Sequence, residues 1–218
     1  MGCSERLASE PNHDTAMKRY ALPTLSAIAL VGFAAVGGSS GDTPIGWSLG
    51  AVDRAAYDAG TLPAPDRSGT AAYLASADPA PEGFGTLMQA VRADAFRGKR
   101  VRLSALVRAE GVERWSGLWM RVDGPGREPP MLALDNMQDR PITGTTGWVR
   151  YAVVLDVPET AEGVVFGALL DGPGRVLLDD VTLEEVDESV PVTGWPVTDG
   201  RGFEYPLEPM NLDFEGYR

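Results

Sequence analysis

The 218-residue chain has one cysteine and one histidine, and both stand near its beginning, at Cys3 and His13. Beyond residue 13 there is neither thiol nor imidazole. That excludes Ser-His-Asp and Cys-His catalysis, zinc sites built on Cys or His, and disulfides from the body of the chain. A domain without these devices is held by its apolar core alone. Basic charge is also scarce: 19 Lys and Arg against 31 Asp and Glu give a net charge of −12. This opposes attraction to nucleic acid or to an anionic membrane. No pattern of a helix-turn-helix with a basic recognition helix occurs either, so no nucleic-acid partner is expected.

Long apolar runs are lacking as well. The stretch from Ala21 to Val36 is short for a membrane span and has the length of a secretory h-region. Met17-Lys18-Arg19 precede it, and the small residues Val36-Gly37-Gly38 offer a cleavage site before Ser39. Glu5, Glu10 and Asp14 are foreign to a signal n-region, which points to Met17 as the translation start. The expectation is a secreted or periplasmic protein with no stable membrane insertion after cleavage; an uncleaved anchor is the alternative. No Cys follows the run to carry a lipid. The segment so removed holds three acids and three bases (Arg6, Lys18 and Arg19), which leaves the net charge unchanged.

What is present is 44% hydrophobic residues, enough for one sizeable core. The spacing divides the chain into an N-terminal extension with a signal-like segment (1–38), a linker (39–45), one domain (46–186) and a tail rich in Pro and Gly (187–218). Within the domain, Gly60, Pro63, Pro65 and Asp66 make residues 55–68 a loop, and Thr70 to Ala75 a strand. Phe84 to Val91 follows, with Leu87, Gln89 and Val91 on one face. In the clearest strand, Val101, Leu103, Ala105 and Val107 alternate with Arg100, Arg102, Ser104 and Arg108. Leu118, Met120 and Val122 alternate with Trp119, Arg121 and Asp123, and Val149 to Leu155 repeats the pattern. Gly163 to Leu170 is almost wholly apolar, Asp171 to Gly174 is a tight turn, and Arg175 to Val186 is the last long strand. Many short strands, Gly/Pro turns and no amphipathic helix predict an all-β, antiparallel β-sandwich of jelly-roll type.

Gly147-Trp148-Val149-Arg150-Tyr151, Leu155-Asp156-Val157-Pro158 and Leu178-Asp179-Asp180-Val181-Thr182-Leu183 resemble the closing half of β-sandwich modules in carbohydrate-binding families four and nine. The blocks Phe96 to Val101, Gly117 to Asp123 and Asp135-Asn136-Met137 are similar to a bacterial subgroup of such sandwiches, found alone or joined to AraC-type regulators and hydrolases. The resemblance covers roughly residues 46–186 and implies a galactose-binding-domain-like sandwich; it is weak as a guide to function. Those modules open with an Asn-x-x-Phe-Glu strand before a Gly-Trp. Here Gly46-Trp47 lacks that strand, and Asn211-Leu212-Asp213-Phe214-Glu215 stands at the other end of the chain. Two readings are open: a returning strand at 211–215 completes the sandwich in permuted order, or the segment is the start of a second module.

Trp119 and Arg121 share a face, and Gln89 is expected as their neighbour. An indole platform with an Arg and a Gln suits a sugar ring, whose C–H face stacks while its hydroxyls take directed hydrogen bonds. The opposing reading makes Trp119 a second core layer and pairs Arg121 with Asp123 or Asp135. The loop with Asp135, Asn136, Gln138 and Arg140 is a second candidate for ligand binding, set against a turn that bonds to its own backbone. The carbohydrate-module resemblance implies a structural calcium at Asp179-Asp180, with Asp180 and, if the tail docks, Glu215 as ligands. Carboxylates are the natural acid/base candidates, but none is spaced as a pair, and Lys99 has no evident Ser partner, so no enzyme activity is expected. The leading reading is a non-catalytic exported module for a glycan or similar polar ligand. Its rival is a structural or protein-interaction sandwich related to accessory domains of bacterial regulators.

Overall fold

A computed structural model of the chain describes residues 43–126, 130–199 and 206–216. The signal-like segment and most of the linker lie outside them. The described strands are β1 (Ser48–Ala51), β2 (Tyr57–Pro63), β3 (Thr70–Ser76), β4 (Phe84–Arg92), β5 (Lys99–Glu110), β6 (Val112–Asp123), β7 (Met131–Asp135), β8 (Ile142–Gly144), β9 (Val149–Val157), β10 (Gly163–Asp171), β11 (Arg175–Val186) and β12 (Trp195–Asp199), with one 3-10 turn at Arg54–Ala56. They form two antiparallel sheets. The first runs β1-β4-β10-β6-β7-β12 with β8 also on β6, and the second runs β2-β3-β11-β5-β9. The all-β, two-sheet antiparallel sandwich expected from the alternation is the observed fold.

The inner faces follow the period of two. Val101, Leu103, Ala105 and Val107 of β5 meet Leu118, Met120 and Val122 of β6, with Leu87, Val91, Val164, Phe166 and Leu178, in one core. A second, smaller apolar layer lies on the outer face of the first sheet, where Trp119, Val165 and Leu169 pack with Phe84, Met88, Ala90 and Trp115.

Two segments differ from the sequence reading. Residues 57–63 form a strand rather than a loop. β2 is an edge strand, so Pro63 can end it without breaking a ladder, and Gly60 lies under the ring of Tyr73, whose Cε1 would be 2.9 Å from an added Cβ. Residues 211–215 are not a strand: Asn211 and Phe214 take positive φ (50° and 60°) and the segment turns. It packs on the sandwich nonetheless. Phe214 is 2% exposed, its ring lies 5.2 Å from that of Trp47, and Leu212 packs partly buried against the same core.

The tail thus bridges the two sheets. On the first sheet, the Gln89 amide donates to Met210 O (2.8 Å) and accepts from Met210 N (2.6 Å), and Trp47 Nε1 donates to Asn211 O at 3.2 Å. On the second, Val181 N donates to Leu212 O at 3.2 Å, and the Glu215 carboxylate takes the N–H of Thr70 and, at 3.3 Å, its hydroxyl.

Candidate functional site

The register separates the residues that the sequence reading grouped. Gln89, Phe166, Met120 and Asp135 lie in one cross-strand row, facing the core, whereas Trp119 is level with Gly167 and Met88 on the outer face. Gln89 is therefore not a neighbour of Trp119 and Arg121. It points the opposite way and binds the tail, because a one-residue offset in a strand changes the face. Trp119 and Arg121 do share the outer face, but neither is free for a ligand. The indole is 9% exposed and its Nε1 donates to Thr86 Oγ1 at 2.7 Å, while Thr86 donates to Ala168 O at 2.8 Å. Arg121 holds the buried Asp123 at 2.8 Å through Nη2. This is the second core layer and ion pair of the opposing reading.

The 135–140 loop is likewise built for packing. Asp135 is fully buried; its Oδ1 accepts from Met137 N (2.8 Å) and its Oδ2 from Arg140 Nη2 (2.5 Å). Asn136 Oδ1 accepts from Gln138 N at 3.1 Å, leaving the Gln138 side chain exposed. Burial works against the charge on Arg140, but the Asp135 and Asp139 carboxylates together outweigh it and raise its pKa. The latch presses Met137, at φ +59°, into the core. Gly117 makes room for it, since an added Cβ there would lie 2.8 Å from Met137 Cβ. These are turns that bond to their own backbone, as Asx residues do.

The expected calcium ligands do not fit that ion. Asp180 pairs with the Arg150 guanidinium, Asp179 with Arg67 at 3.1 Å, and Glu215 binds Thr70. Each carboxylate is turned to a different donor, two of them cationic. Among the described residues no group of three or more carboxylates could hold a metal.

An open groove with charged walls lies elsewhere, on the outer face of the second sheet. It has a volume of about 400 Å³ and is lined by Arg102, Ser104, Arg150, Ala152, Thr182 and Glu184, together with Tyr151 and Asp180. Thr182, Ser104 and Ala152 are register partners and form a floor of small side chains across three strands. One wall is Arg102 with Glu184 (2.7 Å), which are also register partners. The other is Arg150, whose Nη1 donates to Ser104 Oγ and to Asp180 O, both at 3.2 Å, while Nη2 binds the Asp180 carboxylate. Ser104 and Thr182 hydroxyls share a hydrogen bond at 2.8 Å.

Asp180 reaches this wall through a β-bulge. Asp179 pairs with Leu106 and Thr182 with Ser104, so Asp180 and Val181 stand opposite Ala105 alone, and Asp180 takes φ +51°. A non-glycine residue in the left-handed region, at a bulge that re-aims a side chain, is a feature that gathers at binding sites. Alternation alone marked Arg102, Ser104, Arg150 and Ala152 as outward-facing. Their convergence depends on the register of β11, β5 and β9, for which the sequence carries no local signal.

No family model matches the chain. A protein of Bacillus subtilis (strain 168) described as an uncharacterized HTH-type transcriptional regulator, YbfP, is 49% identical over 129 residues, 59% of this chain and 42% of that protein. The chain thus spans less than half the length of this curated relative. Among solved structures, the CBM22-1 xylan-binding domain from Paenibacillus barcinonensis Xyn10C is 12% identical, covering 67% of this chain and 89% of that one at a TM-score of 0.47. A CBM4 structure is 17% identical, covering 64% and 86% at a TM-score of 0.41. Neither structural likeness bears on what this chain binds.

Proposed function

We propose that the chain is a non-catalytic, exported binding module whose ligand is a carbohydrate or a similar polyhydroxylated molecule, held in the groove across β11, β5 and β9. The observation that carries the reading is the floor of Thr182, Ser104 and Ala152 between two Arg–carboxylate pairs. Each wall offers guanidinium donors beside carboxylate acceptors, the complement of a vicinal diol that both donates and accepts. The four charged side chains are 37–52% exposed. Ion pairs so exposed hold together by only about 0–1 kcal/mol, so a ligand can reorder them at small cost. The small floor lets a ring approach the sheet, the aliphatic stems of the wall side chains and Ala152 give it apolar contact, and the charged ends fix its orientation.

A glycan array with the full chain, followed by calorimetric titration of the strongest ligand, tests this. Arg150→Ala and Arg102→Ala are each expected to weaken binding at least tenfold. Binding that survives both substitutions would place the ligand elsewhere. Turnover of glycosides or esters by the purified protein would remove the non-catalytic part of the proposal, and an intact N-terminus in the cytosolic fraction would remove export.

The 49% identity to part of an HTH-type regulator favours a second reading, a sandwich serving as the accessory domain of a bacterial regulator of AraC type. In that case no glycan is retained by the wild type, and the protein is recovered in complex with a regulator rather than with a sugar.

A further inference from the structure

The groove and the C-terminal segment meet at one structural element. The β11 bulge has two residues facing opposite ways: Asp180 goes outward to Arg150, and Val181, 5% exposed, goes inward to the core shared with Trp47 and Phe214. On its β5 side the bulge interrupts the ladder between Asp179 and Thr182. On its other flank β3 pairs with β11 only over Arg175 to Leu178. The backbone at 180–181 therefore lacks regular sheet support, and the Val181 N–H is satisfied by Leu212 O of the tail at 3.2 Å. A left-handed Asp persists only where its surroundings over-determine it. Those surroundings are the Arg67–Asp179 pair before it (3.1 Å), the Arg150 contacts to its side chain and carbonyl, and the tail behind it.

We propose that residues 210–215 position the ligand groove: by holding Val181 through Leu212 O, and by anchoring that carbonyl through Phe214 and Glu215, the tail keeps the bulge in the form that sets Asp180 against Arg150. The proposal rests on the binding role of the groove. It makes Leu212, Phe214 and Glu215 positioning residues, of which Leu212 and Phe214 pack on the core side of the sheet, away from the ligand. The coupling path is short, since Asp180 and Val181 are consecutive and share one peptide unit. Releasing Val181 frees the bulge to relax toward a regular ladder, and a one-residue change of register there moves Asp180 off the groove face.

The test uses the full chain with Glu215→Ala, which removes the carboxylate bound to Thr70, and Phe214→Leu as a milder change of the apolar anchor. Two readouts are taken on each: NMR of the Arg150 Nε–Hε signal with hydrogen exchange at the Val181 amide, and calorimetry with neutral β-1,4-linked hexasaccharides of glucose and of xylose as probes. The expected result is Val181 exchange faster by about tenfold, a displaced Arg150 Nε–Hε signal, and probe affinity lower by about fivefold, comparable to the loss of one hydrogen bond. Faster Val181 exchange with an unmoved Arg150 signal and unchanged affinity overturns the proposal. If the wild type binds neither probe, the groove's ligand class is what fails, and the Arg150 signal still decides whether the tail sets the groove.

Discussion

Replacing Phe214 by Ala is expected to cost the protein about 3–5 kcal/mol, the range for removing a buried phenylalanine from a packed core. The side chain is 2% exposed, packs with its ring tilted against that of Trp47 at 5.2 Å, and belongs to the cluster that holds both sheets together. Nothing in the turn lets the site collapse easily. Asn211 O is held by Trp47 Nε1, Asn211 Oδ1 accepts from Gly216 N at 2.7 Å, and Met210 is clamped by Gln89 at both its N–H and its C=O. For a domain of this size each kcal/mol shifts the melting point by about 2–4 °C, so the variant should melt about 6–20 °C below wild type. Deleting residues 209–218 should cost more, because it also strips the buried Gln89 amide of both Met210 partners, at about 1–3 kcal/mol for a polar group left unpaired. Circular dichroism melts and urea titrations of wild type, Phe214→Ala and the deletion measure both losses. A deletion that melts with the wild type would show that the tail is an appendage and would refute the reasoning that it completes the sandwich.

Trp119→Ala should lower stability by about 3–5 kcal/mol while leaving ligand affinity in the groove within twofold, since the indole is buried in the outer layer of the other sheet; denaturation and calorimetry read the two effects separately. Burial raises the pKa of Asp179, against the hydrogen bond from Asp180 N and the nearby Arg67. The folded state therefore holds its proton to higher pH than the unfolded chain, and this carboxyl takes stability away as pH climbs from the ordinary aspartate value through the raised one. Asp179→Asn should flatten the part of the stability–pH curve just above the ordinary aspartate pKa of about 4, and an unchanged slope in urea titrations would count against it. Gly167→Ala should abolish folding, because its Cβ would lie 2.1 Å from Leu87 O in the neighbouring central strand; a soluble variant with a wild-type melt would contradict the close approach of β4 and β10.

The sequence by itself determined the architecture. A period of two in β5, β6 and β9, a continuous apolar β10 and the Gly/Pro turns between them demand sheets with one buried face, and the lack of Cys and His beyond residue 13 leaves that burial as the main restraint on the fold. For residues 211–215 it left a returning strand and the start of a second module both open; the structure buries Phe214 in the sandwich, with Asn211 and Phe214 turning through positive φ rather than extending as a strand. What only the tertiary structure decided is which outward-facing residues meet. Alternation states a side chain's face but not its cross-strand partner, so Gln89, Trp119 and Arg121 read as one site until the register set Gln89 against the tail and closed Trp119 under Thr86 and its apolar neighbours. The groove joins strands distant in sequence, with Ser104 and Arg150 46 positions apart and Ser104 and Thr182 78, and its Asp180 wall depends on a bulge. Both follow from long-range pairing, whose energy is spread over entire strands and leaves no local mark on the residues that it brings together.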